Sequence, residues 1–327
     1  MTLGLTRKNG FWAGKSVLVT GASGFLGSWT IKALREQDAT VVGLVRDMRQ
    51  TFNTLGDQLS EPQKIAYGAL SDPDLLRRII AEYEVDTVFH LAAQPIVGVA
   101  LKDPVGTFEA NIRGTWNLLD ACRQTGGVKR IVVASSDKAY GHPDMLPYTE
   151  DMPLKGSHPY DVSKSCTDLI CRTYFETYEL PVCITRAGNF YGVGELIFSR
   201  SVPGPVRFAL QGKAPDIRSD GTMIRDYIYV RDVADGYLQI AEQMHKSEVV
   251  GEAFNLSSER PLSVLELTNE ILTATGRKDL EPNILNLAKS EIQEQTVSGE
   301  KASRILNWTP KHSLADALSE TVAWYHA

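Results

Sequence analysis

Cysteine is scarce in this chain. The four present among 327 residues, Cys122, Cys166, Cys171 and Cys183, match no metal-ligand spacing and fall inside segments that read as helix or buried strand. No metal site is expected, and the thiols read as reduced packing residues. Basic charge is short too: 34 Lys and Arg against 40 Asp and Glu give a net charge of -6, which argues against a nucleic-acid partner, because phosphate backbones require clustered cations. No apolar run approaches a membrane span, and residues 1–15 lack the apolar stretch and small-residue cleavage site of a secretory leader. A cytoplasmic location with no membrane partner is therefore expected. Internal repeats, low-complexity tracts and Pro-rich linkers are absent. Hydrophobic residues at 43% and charged residues at 23% are ordinary globular values, and the length suits a cofactor domain plus a smaller substrate lobe.

What is present is alternation. Residues 16–20, 40–45, 87–91, 130–134 and 182–185 are short apolar runs of the kind that form buried strands. Helix-length stretches lie between them at 28–37, 74–83, 105–125 and 160–178. Strand and helix in regular order predict an α/β architecture built on a doubly wound parallel sheet. After Gly188 the pattern breaks, with Gly192, Gly194, Pro203, Gly204, Pro205, Gly212 and Pro215 leaving room for a helix only at 206–210. A strand and helix at 226–243 and a strand at 254–256 restore it. The expected division is a dinucleotide-binding domain over 1–188, to which 226–256 returns, and a smaller, interleaved C-terminal substrate lobe over 189–327.

Gly21-Ala22-Ser23-Gly24-Phe25-Leu26-Gly27 follows the first strand and opens the first helix. Gly21 permits a tight turn, Gly24 lets the backbone approach a pyrophosphate, and Gly27 allows close helix–strand packing, with the helix N-terminus favouring negative charge. Such glycines also occur in plain turns; the strand before and helix after favour a cofactor site that uses Gly21, Ser23, Gly24, Phe25, Leu26 and Gly27. At the end of the second strand stand Arg46 and Asp47. A carboxylate there suits the ribose hydroxyls of NAD, and an arginine suits the 2′-phosphate of NADP, although a solvated surface residue is the usual fate of a lone arginine. NAD and NADP both stay open.

Tyr160 and Lys164 are spaced i, i+4, so both project from one helix face. A cation beside a phenol lowers its pKa towards the working range and makes the phenolate a base for a sugar hydroxyl. Chance also produces this spacing. Its place downstream of the glycine loop favours the functional reading.

Taken in order, Gly21 to Gly27, His90-Leu91-Ala92-Ala93, Asn111-Ile112-Arg113-Gly114-Thr115, Ser135 to Gly141, Tyr160 to Lys164 and Arg225 to Val230 resemble the extended short-chain dehydrogenases (the NAD-dependent epimerase/dehydratase family) over nearly the whole chain. The resemblance implies a Rossmann sheet, a tightly held NAD or NADP that is recycled, and a nucleotide-sugar substrate. Tyr160 would be the catalytic phenol, Lys164 would bind the nicotinamide ribose, and Ser136 would hydrogen-bond the reacting oxygen. Leu91, Ala92, Ala93 and Asn111 join the cofactor set, Asn111 by helping to fix the active-site lysine; outside the resemblance, Ser136 and Asn111 read as ordinary turn and cap formers. Gln94, Asn189 and Arg225 would hold the substrate, Arg225 by clamping the diphosphate, with a structural Arg225–Asp226 ion pair as the competing reading.

Asp137 and Lys138 discriminate within the family. Ionisable groups after the serine are a dehydratase feature, and Ser136-Asp137-Lys138, with Ala92-Ala93-Gln94-Pro95 and Arg186-Ala187-Gly188-Asn189, looks most like the CDP-glucose 4,6-dehydratases. Gly43 to Arg46 and Thr51 to Thr54 look instead like NADP-using GDP-mannose 4,6-dehydratases. The expected chemistry is oxidation at C4, removal of the C5 proton by Lys138 as a neutral amine, protonation of the departing C6 hydroxyl by Asp137 as a neutral acid, and hydride return to C6. An exposed Asp137–Lys138 ion pair worth about 0–1 kcal/mol is the bland alternative. The wider alternatives are a nucleotide-sugar 4-epimerase or 4-reductase and, outside enzymes, a cofactor-sensing binding module. Three departures stand out: Tyr67-Gly68-Ala69-Leu70 replaces the usual adenine-contacting Gly-Asp pattern, leaving Asp72 as a substitute; Lys289 stands where many relatives have a second arginine; and 192–202 is short for a CDP-glucose enzyme. Apolar residues around helices 105–125 and 160–178, including Trp116, Leu118, Leu119, Leu169, Ile170 and Phe175, predict a homodimer through a four-helix interface, against core packing within one subunit.

Overall fold

A computed structural model describes residues 10–47, 55–142, 145–287 and 292–326. In order, β1 (Ser16–Thr20), α1 (Phe25–Arg35), β2 (Thr40–Val45), β3 (Lys64–Tyr67), α2 (Pro73–Glu82), β4 (Thr87–His90), α3 (Val97–Lys102), α4 (Pro104–Phe108), α5 (Gly114–Thr125), β5 (Arg130–Ala134), α6 (Pro159–Tyr178) and β6 (Val182–Ala187) build the first part of the chain. They form a seven-stranded parallel sheet in the order Ala253–Leu256, β6, β5, β4, β1, β2, β3. Register is pinned by in-phase pairs such as Leu18 with Val42 on one side and Val88 on the other. Val17, Leu18, Val19, Val41, Val42, Val88, Phe89, Ile131, Val132 and Val133 are fully buried, the uniform burial of a sheet covered on both faces. Each such side chain contributes roughly 1.5–3 kcal/mol of transfer free energy.

The chain divides into two compact units. One comprises Met1–Ala134, Cys166–Ile184 and Tyr237–Glu252; the other comprises Ser135–Ser165, Thr185–Gly236 and Ala253–Ala327. The second unit has its own small sheet around the strand Ile224–Tyr229, which pairs antiparallel with Pro261–Ser263 and parallel with Glu294–Gln295 and Asn189–Tyr191. Its helices include Pro203–Leu210, Val230–Gly236 within a longer helix, Val264–Ala274 and Leu314–His326.

The stretch expected as one helix over 105–125 is three pieces. Asp103 caps α4 by accepting from Gly106 N, and a π turn over Glu109–Arg113 separates α4 from α5. The wide turn leaves the Asn111 carbonyl to accept from the hydroxyls of Thr115 at 2.6 Å and Thr167 at 3.2 Å, and π turns of this kind recur at functional positions. Leu118 and Leu119, counted towards a dimer face, are fully buried within the chain, whereas Trp116 and Leu169 are exposed. Cys122, Cys171 and Cys183 are buried, and none of the four cysteines is in a disulfide. Among the described residues no group of side chains could hold a metal ion, and no helix is long and apolar enough to cross a membrane.

Candidate active site

In the first unit, the loop after β1 turns on Gly21 at φ +70° and closes through Gly24 N donating to Gly21 O at 2.9 Å. A Cβ on Gly21 would lie 2.8 Å from the Ala92 backbone nitrogen, and one on Gly27 would lie 2.1 Å from Gly21 O. The positions are therefore bare by steric necessity. Gly24 is the N-cap of α1 and brings no side-chain cap, so a helix N-terminus meets an uncluttered backbone cradle, which fits the pyrophosphate of a dinucleotide. Thr20 Oγ1 accepts from Leu91 N and Ala92 N at 3.2 Å each and pairs with His90 Nδ1 at 2.8 Å. This locks the β4 terminus, with Leu91, Ala92 and Ala93, beside the glycine turn. Arg46 is exposed and Asp47 half-buried just after β2. Asp72, the substitute for an adenine-contacting acid, caps α2 by accepting from Leu75 N at 3.0 Å.

Asn111 and Gln94 hold one another. Asn111 Oδ1 accepts from Gln94 N at 2.7 Å and its Nδ2 donates to Gln94 O at 3.1 Å. The Gln94 side chain turns back on its own loop, donating to Ile96 O and Thr107 Oγ1 and accepting from Ile96 N.

The second unit carries the ionisable cluster. A 3₁₀ turn over Asp137–Tyr140, N-capped by Ser136 through Lys138 N, follows β5. Gly141 ends that turn at φ +70°, where a Cβ would sit 2.0 Å from Lys155 O; the chain from Lys155 onwards is thus pressed against the turn. Ser165 Oγ donates to Ala139 O at 2.9 Å and Ser135 Oγ to Lys164 O at 3.3 Å, so the first turns of α6 are docked on the same segment. That docking brings Ser136, Asp137, Tyr160 and Lys164 together. All four are buried. Ser136 Oγ donates to Asp137 Oδ1 at 2.9 Å, and Ser136 is close enough to the Tyr160 phenol to act on its pKa.

Burial pushes that phenol up to about 12; the Ser136 hydroxyl and the Arg200 charge pull it back, while Asp137 and Asp161 push it further up. This corrects the lowering expected from Lys164. Its Nζ stands 6.0 Å from the Tyr160 ring centroid, and desolvation of an enclosed phenol outweighs a cation at that range. The expected alternative of an Asp137–Lys138 ion pair is not formed among the described residues: Asp137 takes the serine hydroxyl, and Lys138 Nζ donates to Gln295 Oε1 at 3.1 Å.

Arg225 is buried and donates to the backbone carbonyls of Ile224 at 2.7 Å, Ile292 at 2.7 Å and Gln293 at 3.2 Å. Asp226 is held by Ser257 and Ser258, and burial pushes it up to about 6. Asn189 is half-buried and pairs in register with Tyr227. Three residues that sequence reasoning missed belong with this cluster. Glu195 is 2% exposed, pairs with Arg200 at 3.1 Å and is pushed up to about 7 by burial against that arginine's pull. Arg200 in turn acts on Tyr160. Gln295 is the third. Lys289 and Thr51 to Thr54 lie outside the described residues.

A sequence model of the NAD dependent epimerase/dehydratase family matches residues 17–257. The chain belongs to this family. Family membership makes it an NAD-using enzyme, and the glycine cradle is the part of the first unit suited to that cofactor. The chain is 30% identical to a CDP-glucose 4,6-dehydratase of Salmonella typhimurium, over 97% of this chain and 92% of that protein. It is also 30% identical to a UDP-glucose 4-epimerase of Mycolicibacterium smegmatis, over 94% of this chain and 97% of that protein. Among solved structures, a dTDP-glucose 4,6-dehydratase from Streptomyces venezuelae with NAD bound superposes with a TM-score of 0.85 at 29% identity, covering 95% of this chain and 97% of that one. Dehydratases and epimerases therefore flank the chain at equal distance, and the local chemistry must separate them.

Proposed function

We propose that the protein is a nucleotide-hexose 4,6-dehydratase, with CDP-glucose the favoured substrate, forming a 4-keto-6-deoxy sugar. The observation that carries this reading is the buried Ser136 hydroxyl, which donates to the Asp137 carboxyl at 2.9 Å beside the buried Tyr160 phenol, so that the oxidising base and a second proton carrier lie in one buried cluster. An epimerase has no use for the second carrier. The Ser136-Asp137-Lys138 run and the Salmonella relative support cytidine as the base.

The residues that would hold the cofactor are Gly21, Ser23 to Gly27, Arg46, Asp47, Leu91 to Ala93, Asn111 and Lys164. Bound NAD or NADP supplies a reversible hydride acceptor, so no external reductant is consumed. Tyr160 takes the O4 proton as the C4 carbonyl forms, which acidifies C5. Lys138 then removes the C5 proton, and Asp137 gives its proton to the C6 hydroxyl, which leaves as water. Return of the reducing equivalent to C6 and of the proton from Lys138 to C5 completes the product; the O4 proton taken up by Tyr160 makes good the one Asp137 gave to the departing hydroxyl, so the net loss is one water. Asn189 and Arg225 are assigned to the nucleotide diphosphate, Arg225 as much through the backbone it anchors as through direct contact, and Gln94 to the substrate.

The exposed Trp116, Leu169 and Tyr178 support a homodimer through α5 and α6, and four cysteines outside any disulfide suit the reducing cytoplasm. Mass spectrometry after offering CDP-, GDP-, UDP- and dTDP-hexoses tests the activity. Loss of one water from one of them is expected; an isomer of unchanged mass would assign an epimerase, and turnover that consumes external reductant would assign a reductase.

A further inference from the structure

The partner of Lys138 is an amide rather than an acid, 157 residues away in the chain. Gln295 is 2% exposed, and its strand is held on both sides. Glu294–Gln295 pairs parallel with Ile224–Tyr229, Gln295 opposite Arg225. Arg225 donates to the carbonyls of Ile292 and Gln293 just before it. Beyond it, Tyr148 N donates to Thr296 O and Ser298 N to Tyr148 O, both at 2.9 Å, and Val297 packs with Tyr140 and Tyr148 in a buried cluster. The Tyr148 hydroxyl donates to Gly141 O at 2.6 Å at the end of the Lys138 turn, so the strand that carries Gln295 and the turn that carries Lys138 are tied through one tyrosine. A strand held this well, with the glutamine buried, presents the amide oxygen at one place.

We propose that Gln295 is the positioning residue for Lys138, aiming the amine nitrogen through an acceptor that carries no charge, so that the lysine can take up and give back the C5 proton. This rests on the dehydratase reading. A carboxylate in that place would hold Nζ as the ammonium and oppose its use as a base, whereas an apolar side chain would leave the nitrogen without an aiming partner. The charged groups of the surrounding elements are Asp137 beside Lys138 on the turn, Asp161 on α6, and Arg225 and Asp226 on the adjoining strand. Three acids and a buried arginine leave the amide as the neutral member of the set.

Gln295→Leu, Gln295→Glu and Lys138→Ala in the full-length enzyme test the role, with water loss, solvent-deuterium entry at C5 and reduced-cofactor absorbance each recorded against pH. For Gln295→Leu we expect elimination and deuterium entry to fall roughly tenfold or more, the loss typical of a hydrogen bond to a charged group, with KM within about twofold of wild type and cofactor reduction retained. For Gln295→Glu the rise of the rate should move to higher pH by about one unit. Adding Gln295→Leu to Lys138→Ala should cost nothing further if the glutamine acts through the lysine. Retained cofactor reduction also reports that each variant is folded. A wild type that eliminates water alongside a Gln295→Leu with unchanged rate and pH profile would overturn this role alone, as would full additivity in the double variant. A wild type that eliminates water from none of the four nucleotide hexoses would overturn the dehydratase reading and this role together.

Discussion

The glycine cradle of the first unit and the ionisable cluster of the second are built by opposite means. The cradle is one uninterrupted run, Gly21 to Gly27, whose shape follows from a backbone that tolerates no Cβ at Gly21 or Gly27. The cluster gathers Ser136 to Lys138, Tyr160 to Lys164, Glu195, Arg200, Arg225 and Gln295 from five separate stretches and holds them through side-chain hydrogen bonds. A contiguous cradle has little to vary and binds a common cofactor. A cluster assembled at a distance can exchange one member at a time, which suits the part of the molecule that selects a reaction.

The largest effect expected is on the second unit. Tyr160→Phe keeps the ring that fills the buried site but removes the phenol beside Ser136 and Asp137, so turnover should fall by roughly 10²–10⁴-fold, the usual worth of a general base, with cofactor affinity and the far-ultraviolet circular dichroism unchanged. A variant of near wild-type rate would mean that the buried phenol takes no proton and would dissolve the contrast between the two regions. Next in size is the cradle. Gly27→Val sets a β-branched side chain where a Cβ alone falls 2.1 Å from Gly21 O; the loop must shift, and strain of about 1–3 kcal/mol should weaken NAD roughly tenfold to a hundredfold in calorimetry. Binding at wild-type affinity would show that the cradle is not where the pyrophosphate rests.

How far each region could be read from sequence follows the same contrast. β1, β2 and β5 begin and end at the expected residues because each is a buried apolar run that opens on a polar residue, Ser16, Thr40 or Arg130. β3 escaped notice because Lys64, Ile65 and Tyr67 are exposed and only Ala66 is buried, which leaves no apolar run to see at a sheet edge. The helix Val264–Ala274 carried a signal that went unused: Ser263 and Glu266 form a reciprocal capping box ahead of Leu267 and Ile271. Tyr160, Lys164 and Ser136 were legible through motif spacing, but the direction of the phenol's pKa was not, since spacing gives proximity and says nothing of desolvation. Gln295 had no local signal at all. Its place depends on a two-residue strand gripped by Arg225 and Tyr148, contacts that are long in sequence and invisible to any window.

A third test concerns how the cluster bears its buried charge. Burial raises Glu195 from 4.5 to about 7 and Asp226 from 3.8 to about 6. A carboxyl with a raised folded pKa binds more protons folded than unfolded across that interval, so stability falls as pH rises from the unfolded value to the folded one and is then flat. For Glu195 the loss should be on the order of 3–4 kcal/mol, at about 1.4 kcal/mol for each pH unit of the interval. Denaturant unfolding of Glu195→Gln between about pH 5 and 8 should therefore show a shallower decline than wild type, with the part due to Asp226 remaining and ending near pH 6. An identical slope in the two proteins would mean that Arg200 keeps Glu195 ionised throughout, and that the cluster is as settled electrostatically as the cradle is sterically.

The smallest effect sharpens the comparison from the cradle side, where selectivity has to come from beside the glycines rather than from them. Arg46 is exposed and Asp47 half-buried at the end of β2, so the guanidinium meets any 2′-phosphate in high dielectric, where a single ion pair is worth about 0–1 kcal/mol. Arg46→Ala should then weaken NADP by less than about tenfold, leave NAD within about twofold, and do so less at high salt, because exposed pairs are screened. Titration of both cofactors into wild type and variant reads this directly. A loss well above tenfold, persisting in salt, would mean that the arginine is enclosed when the nucleotide binds, and that the first unit, too, builds part of its specificity by gathering side chains around a ligand.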